Sequence, residues 1–381
     1  MTATSRRVVL VAPDEFKGSL RARDAATALA SGIADVRPEL PVVMCPVADG
    51  GEGTVEAAVE SGFRSRTAMV QGPLGAPVTA HFATRGRAAV VELAQASGLG
   101  LLPAGPSPDT AAVASSYGTG ELLVAALDAG AKMIVLGLGG SATTDGGAGM
   151  LQALGAGFRD HAGEVLGPGL AHPRAVASVD LATLDPRLAR TRIVVATDVD
   201  NPLLGPRGAA AVFGPQKGAT VELVPTLDRD LRRWSTILWQ AGARASPEQP
   251  GAGAAGGVGF AAMGALRAVA RPGVDVVLDI VGFTDLVAGA RIVITGEGSL
   301  DDQSLSGKAP MGVLRAASAQ RVPTIVVAGR STLGPGAVTG IGFQAVFTLQ
   351  DREPDVRTCI LEAPRLLREV GREVGGLIPD G

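Results

Sequence analysis

The chain is short of several residue types on which common chemistries depend. It holds two cysteines (Cys45 and Cys359) and three histidines (His81, His161 and His172), none at metal-ligand spacing. A zinc site and a histidine-based catalytic triad are therefore not expected. Aromatic residues make up 3% and the net charge is −3, so the basic patches and stacking rings that nucleic acid requires are missing. No apolar run approaches the roughly 20 residues of a membrane span. The apolar stretch near Met1–Leu10 is too short for a signal peptide. The expectation is a cytoplasmic protein without membrane or nucleic-acid partners, its oligomeric state open.

Lysine is the most telling scarcity. Of 34 basic residues only four are lysines: Lys17, Lys132, Lys217 and Lys308. A chain that uses arginine elsewhere keeps lysine where a compact charge on a flexible stem is useful, as in gripping phosphate. Three of the four lie in glycine-bearing segments, Phe16-Lys-Gly-Ser19, Pro215-Gln-Lys-Gly218 and Ser306-Gly-Lys-Ala309. Singly, each fits a solvated surface equally well. Together they suggest a polyphosphate site.

Glycine is abundant instead, 53 of 381 residues, about twice the usual share of roughly 7%. The glycines fall between apolar runs, as tight turns or as loops that bring backbone close to a ligand. With 46% hydrophobic residues, the length suits two domains with sizeable cores.

The central motif is Gly137-Leu-Gly-Gly-Ser-Ala-Thr-Thr-Asp-Gly-Gly-Ala-Gly149. The apolar run Met133–Leu138 reads as a buried strand leading into it, and Met150–Leu154 as the opening of a helix. Strand, glycine loop and helix place backbone N–H groups around an anion. Asp145 sits within that loop, which makes sense beside a cation or as a group that handles a proton.

Similar units recur. Arg7–Ala12 reads as a strand ending in Asp14 and Lys17, with Ser19 as the N-cap of a helix bearing Ala25, Ala26, Leu29 and Ile33 on one face. Pro41–Val47 runs into Asp49-Gly-Gly-Glu-Gly-Thr54. Ile193–Ala196 precedes Asp198, Asp200 and Asn201, an oxygen cluster suited to Mg²⁺ or a polyol, or else an Asx turn before Pro202. Leu227–Leu238 reads as a packed helix with Trp234 and Trp239 close by. Arg291–Ile294 opens into Gly296-Glu-Gly-Ser-Leu-Asp301. Gly251–Gly256 matches G-x-G-x-x-G but has no strand before it, and Gly307-Lys308 is not a P-loop end, because Asp302 and Ala309 occupy positions that need Gly and Ser/Thr.

Taken in order, Asp14–Ser19, Val47–Thr54, Gly118–Glu121, Gly139–Gly147, Phe213–Gly218 and Ile294–Asp301 resemble the bacterial type-1 glycerate kinases over nearly the whole chain. The resemblance implies ATP- and Mg²⁺-dependent phosphorylation of D-glycerate, with 2-phosphoglycerate the favoured product. Phosphoryl transfer needs cations on the migrating group and a residue that orients the nucleophile. Lys17 and Lys308 are candidates to neutralise carboxylate or phosphate oxygens, and Asp49 or Asp145 to orient the acceptor hydroxyl. Gly139, Gly140, Ser141, Thr144, Glu297 and Lys217 are candidate nucleotide contacts, and Asp198 and Asp301 candidate metal ligands. A nucleotide-responsive binding protein and, more remotely, an NAD(P)-dependent dehydrogenase are the alternatives.

The expected architecture is two α/β domains. Residues 1–70 plus 285–381 would form a flavodoxin- or Rossmann-like domain with a parallel sheet. Residues 71–284 would form an inserted mixed α/β domain, with the active site in the cleft between them.

Overall fold

The structure, a computed structural model, describes residues 8–301 and 308–379. It divides into two compact units: residues up to 49, 56–61 and from 274 onward form one, and 50–55 with 62–273 form the other. Among the described residues no helix is long and apolar enough to cross a membrane.

The first unit is built on a five-stranded sheet in which every pairing is parallel. From one edge its strands are Ala345–Thr348, Thr324–Ser331, Ala290–Leu300, Val8–Pro13 and Val42–Met44. Counted within this unit, the order is 2-1-3-4-5, the flavodoxin-like arrangement. The central strands are apolar on both faces because helices cover both. Val9 and Val11 face one side with Ile292 and Ile294, against Leu29, Leu366 and Val370 of the helices Ala22–Val36 and Ala363–Leu377. Leu10, Ala12 and Val293 face the other, against Val277 of Gly273–Val281 and Val313 of Ala309–Ala319.

Ser19 does not cap the first helix. That helix starts at Ala22 after Arg21, and the Ser19 hydroxyl instead donates to the Ile360 carbonyl at 2.8 Å. The turn from Phe16 to Leu20 closes on itself through backbone bonds.

The second unit holds a six-stranded mixed sheet. Its order is Val269–Arg271, Arg192–Ala196, Met133–Gly137, Ala88–Glu92, Pro77–Arg85 and Arg64–Gln71. The last two strands are antiparallel additions to a parallel core. The helix Val224–Gln240 buries Trp234, which stacks on Phe158 at a centroid distance of 5.9 Å. Trp239 does not join it: five positions turn a helix by about 140°, and its side chain is 64% exposed. Gly251–Gly256 lies at the start of Ala254–Ala265, where Ala255, Gly256 and Gly257 take left-handed backbone angles.

In the first unit the long helices Ala22–Val36 and Ala363–Leu377 cross closely. A Cβ at Gly32 would lie 2.0 Å from the Arg368 carbonyl oxygen, and one at Gly371 would lie 2.4 Å from that of Leu29. On the same helix Gly376 meets nothing within 4 Å. Gly32→Ala and Gly371→Ala should each cost about 1–3 kcal/mol by forcing the helices apart. Gly376→Ala should add roughly 0.5–1 kcal/mol through helix propensity alone. Urea denaturation of the three variants checks the opposite signs.

Candidate active site

In open parallel sheets ligands bind at the carboxyl ends of the strands, where the strand order reverses. In the first unit that point lies between Val8–Pro13 and Ala290–Leu300, which pair in register from Val9 with Ile292 to Pro13 with Gly296. A cavity of about 420 Å³ occurs there, lined by Asp14, Lys17, Asp49, Glu297, Lys308 and Arg330 among others.

Each charged group reaches it for a local reason. Asp14 follows the first strand directly, its N–H donating to the Gly296 carbonyl at 2.8 Å, so that the carboxylate emerges at the strand end. Glu297 occupies the carboxyl half of the neighbouring strand, buried. Gly298 allows the Phe16-Lys17 backbone to lie on that strand: a Cβ there would come within 3.1 Å of the Lys17 nitrogen. Lys308 is the residue before the helix Ala309–Ala319. The Arg330 Nε donates to the Ser299 hydroxyl at 3.1 Å.

Negative charge is concentrated on the buried side. Burial, followed by the charges of Asp49, Glu15 and Glu297, holds the Asp14 carboxyl well above the usual carboxylate range, although the Glu15 N–H bond works against the shift. The Lys17 ammonium lies at the exposed side, 3.9 Å from Glu15 Oε1. The site thus presents hard oxygens at depth and cations nearer solvent.

In the second unit the glycine loop is a fixed scaffold. The Asp145 carboxylate is buried and accepts four hydrogen bonds: from Ser116 N at 2.8 Å, Ser116 Oγ at 2.7 Å, Gly147 N at 3.0 Å and Gly149 N at 3.2 Å. Ser116 Oγ in turn accepts from Met150 N at 2.9 Å. Burial raises the Asp145 pKa, and these bonds oppose the rise. On the loop's other side Lys217 is buried, its ammonium donating to Ser141 Oγ at 2.7 Å and the Thr143 carbonyl at 2.6 Å. Burial lowers its pKa to about 7 against the opposing charge of Asp145. The Ala142 N–H is taken by the Ser97 carbonyl and the Gly140 carbonyl by Leu99 N–H. Gly139 makes room for the Gly51 backbone, since a Cβ there would lie 2.4 Å from the Gly51 Cα. Thr144 Oγ1 is buried without a hydrogen-bond partner.

The residues singled out from the sequence therefore fall into two groups. Lys17, Asp49, Glu297 and Lys308 line one cavity. Gly139, Gly140, Ser141, Thr144, Asp145 and Lys217 share the glycine loop and its supports. At the oxygen cluster expected from Asp198, Asp200 and Asn201, Asp198 accepts from Gly273 N at 2.8 Å, Asp200 pairs with Arg207 at 3.9 Å, and Asn201 donates to the Arg207 carbonyl. Asp301 follows the strand Ala290–Leu300, and the Ser306-Gly307 part of the Lys308 segment lies outside the described residues. Arg330, Gln350 and residues of the helix Val356–Leu361 also line the cavity, and Ser116 partners Asp145; no motif in the sequence marks them for these places.

A parallel flavodoxin-like sheet with a charged cavity at its switch point, joined in one chain to a glycine loop on a second α/β unit, has the form of a protein that binds charged small molecules. Comparison with known proteins makes this particular. Residues 9–379 match the model of the glycerate kinase family. The chain is 42% identical to the glycerate kinase of Bacillus subtilis, covering 97% of each chain. It is also 42% identical to the glycerate 2-kinase of Escherichia coli over 90% of each. The crystal structure of a putative glycerate kinase 2 from Salmonella typhimurium superposes with a TM-score of 0.82 at 40% identity, covering 97% of this chain and 98% of that one. The chain belongs to the glycerate kinase family.

Asp145→Asn puts an amide donor among groups that all donate. The change should cost about 1.5–3 kcal/mol. A lowered melting temperature and faster amide hydrogen exchange at Ser116, Gly147 and Gly149 would report it.

Proposed function

We propose that this protein transfers the γ-phosphoryl group of ATP to a hydroxyl of D-glycerate, giving 2-phosphoglycerate and ADP, in the cytoplasm. The observation that carries the reading is the gathering of Lys17, Lys308, Asp49 and Glu297 on one cavity of the parallel-sheet unit, in a chain that matches the family from residue 9 to 379. The name of the E. coli relative, a glycerate 2-kinase, supports the choice of product.

The reaction calls for charge compensation more than for covalent participation by the protein. In this reading the Lys17 and Lys308 ammonium groups stand against phosphoryl oxygens and the substrate carboxylate. Asp49 accepts the hydrogen of the reacting hydroxyl and aims its oxygen at phosphorus. The loop Gly139–Asp145, held by Ser116 on one side and Lys217 on the other, is preorganised to meet an anionic group without rearrangement.

A magnesium ion fits the carboxylates Asp14 and Glu297, because Mg²⁺ prefers hard oxygens and takes one or two protein carboxylates alongside substrate phosphates. Asp301, at the end of the same strand, is a further carboxylate for that ion. Bound there, it would neutralise charge on the phosphates.

A coupled ADP-release assay with D-glycerate tests the reading, and ³¹P NMR of the product identifies the phosphorylated hydroxyl. Nucleotide binding without glycerate-dependent ADP release would mark a binding protein instead. Lys17 is exposed, so Lys17→Ala should remain folded and lose roughly 10²-fold or more in turnover. Near-normal turnover would remove Lys17 from the mechanism.

A further inference from the structure

The charged groups account for only part of the cavity. Its remaining wall comes from the helix Val356–Leu361, whose start is set by Asp355 accepting from Thr358 N. Val356, Cys359 and Ile360 all line the cavity. Their i, i+3, i+4 spacing places them on one helical face. Val356 is 52% exposed and Ile360 41%, whereas Cys359 is 6% exposed. Two branched apolar side chains thus face a cavity with much of their surface still uncovered. Gln350 and Arg330 add an amide and a guanidinium to the lining.

We infer that this wall seats the base and ribose of the nucleotide, so that the cavity runs from the polyphosphate at the central strands to the nucleoside at the sheet edge. The inference rests on the reading of the protein as an ATP-dependent kinase and goes further by assigning a substrate to a surface. A three-carbon acid offers a carboxylate and two hydroxyls and has almost nothing to bury against Val356, Cys359 and Ile360. A purine has flat apolar faces and a hydrogen-bonding edge, which suits an aliphatic wall with an amide and a guanidinium close by. The volume of about 420 Å³ lies within the range of pockets that hold ligands of nucleotide size, about 300–1,000 Å³.

The topology supports the same direction. Asp14 follows the inner strand Val8–Pro13 and Glu297 lies in the central strand Ala290–Leu300, whereas Gln350 and the helix follow the edge strand Ala345–Thr348. The bond from Ser19 Oγ to the Ile360 carbonyl ties the wall to the turn that carries Lys17. The two ends of the ligand are therefore held by parts of the chain that are fastened to each other.

Fluorescence titration of the full chain with mant-ADP, without glycerate, reads the nucleoside site independently of catalysis. Cys359→Trp fills the wall and should weaken mant-ADP binding and raise the KM for ATP by about tenfold or more. The KM for D-glycerate should stay within about twofold in the same variant. Ile360→Ala, a milder change at a partly exposed position, should weaken mant-ADP binding roughly threefold to tenfold. It decides the question where Cys359→Trp does not fold. Leu361 is 81% exposed, and Leu361→Ala should alter neither substrate.

A raised KM for glycerate with mant-ADP binding unchanged would overturn the inference, as would no effect on either substrate or no mant-ADP binding by the wild type. The expected mant-ADP losses in a protein without glycerate-dependent ADP release would leave the inference standing and overturn the kinase reading.

Discussion

Everything in the first unit depends on the pairing of two strands from opposite ends of the chain. Val8–Pro13 lies against Ala290–Leu300 in parallel register, and the Thr295 hydroxyl reinforces the pair by donating to the Ala12 carbonyl at 2.8 Å. This register fixes where Asp14 and Glu297 emerge. A slip of one residue would send Leu10 and Ala12 to the face now occupied by Val9 and Val11. The packing of helices on both sides of the sheet therefore also fixes the chemistry at its end.

The glycine loop of the second unit reaches rigidity by a different route. It has few side chains of its own to pack, so it is anchored by buried charge. Asp145 gathers donors from two helix starts, and Lys217 takes up an acceptor hydroxyl and a carbonyl on the far side. A buried carboxylate is costly unless it is hydrogen-bonded, and Asp145 accepts four bonds, three at Oδ2 and one at Oδ1. Its observed part is to shape the backbone around it.

Much of this is legible in the sequence, and the exceptions have physical causes. The parallel and mixed sheets follow from apolar runs alternating with helical periodicity. Asp14, Asp49 and Glu297 stand out because an acid directly after an apolar run sits at a strand end. Lys17 and Lys308 stand out because lysine is rare here. The Asp145–Ser116 bond is not visible, because its partners lie 29 residues apart and serine is common. Val356, Cys359 and Ile360 carry no signal in the sequence, since periodicity does not tell a face covered by protein from one that lines a cavity. Trp239 shares a helix with Trp234 but sits on another side of it, and Asp198 and Asp200 take different partners, Gly273 N and Arg207.

The central strand pair has a consequence for the birth of the protein. Ala12 and Thr295 are 283 residues apart. At a synthesis rate of about 5–20 residues per second, the first strand waits roughly 15–60 s for its neighbour. Through that interval Val9, Leu10 and Val11, fully buried in the finished protein, have no sheet to enter on the side of Ala290–Leu300. The intervening unit, nearly continuous in sequence, has its own strands complete by Arg271. The order of translation thus sets an order of assembly, in which the unit begun first is finished last.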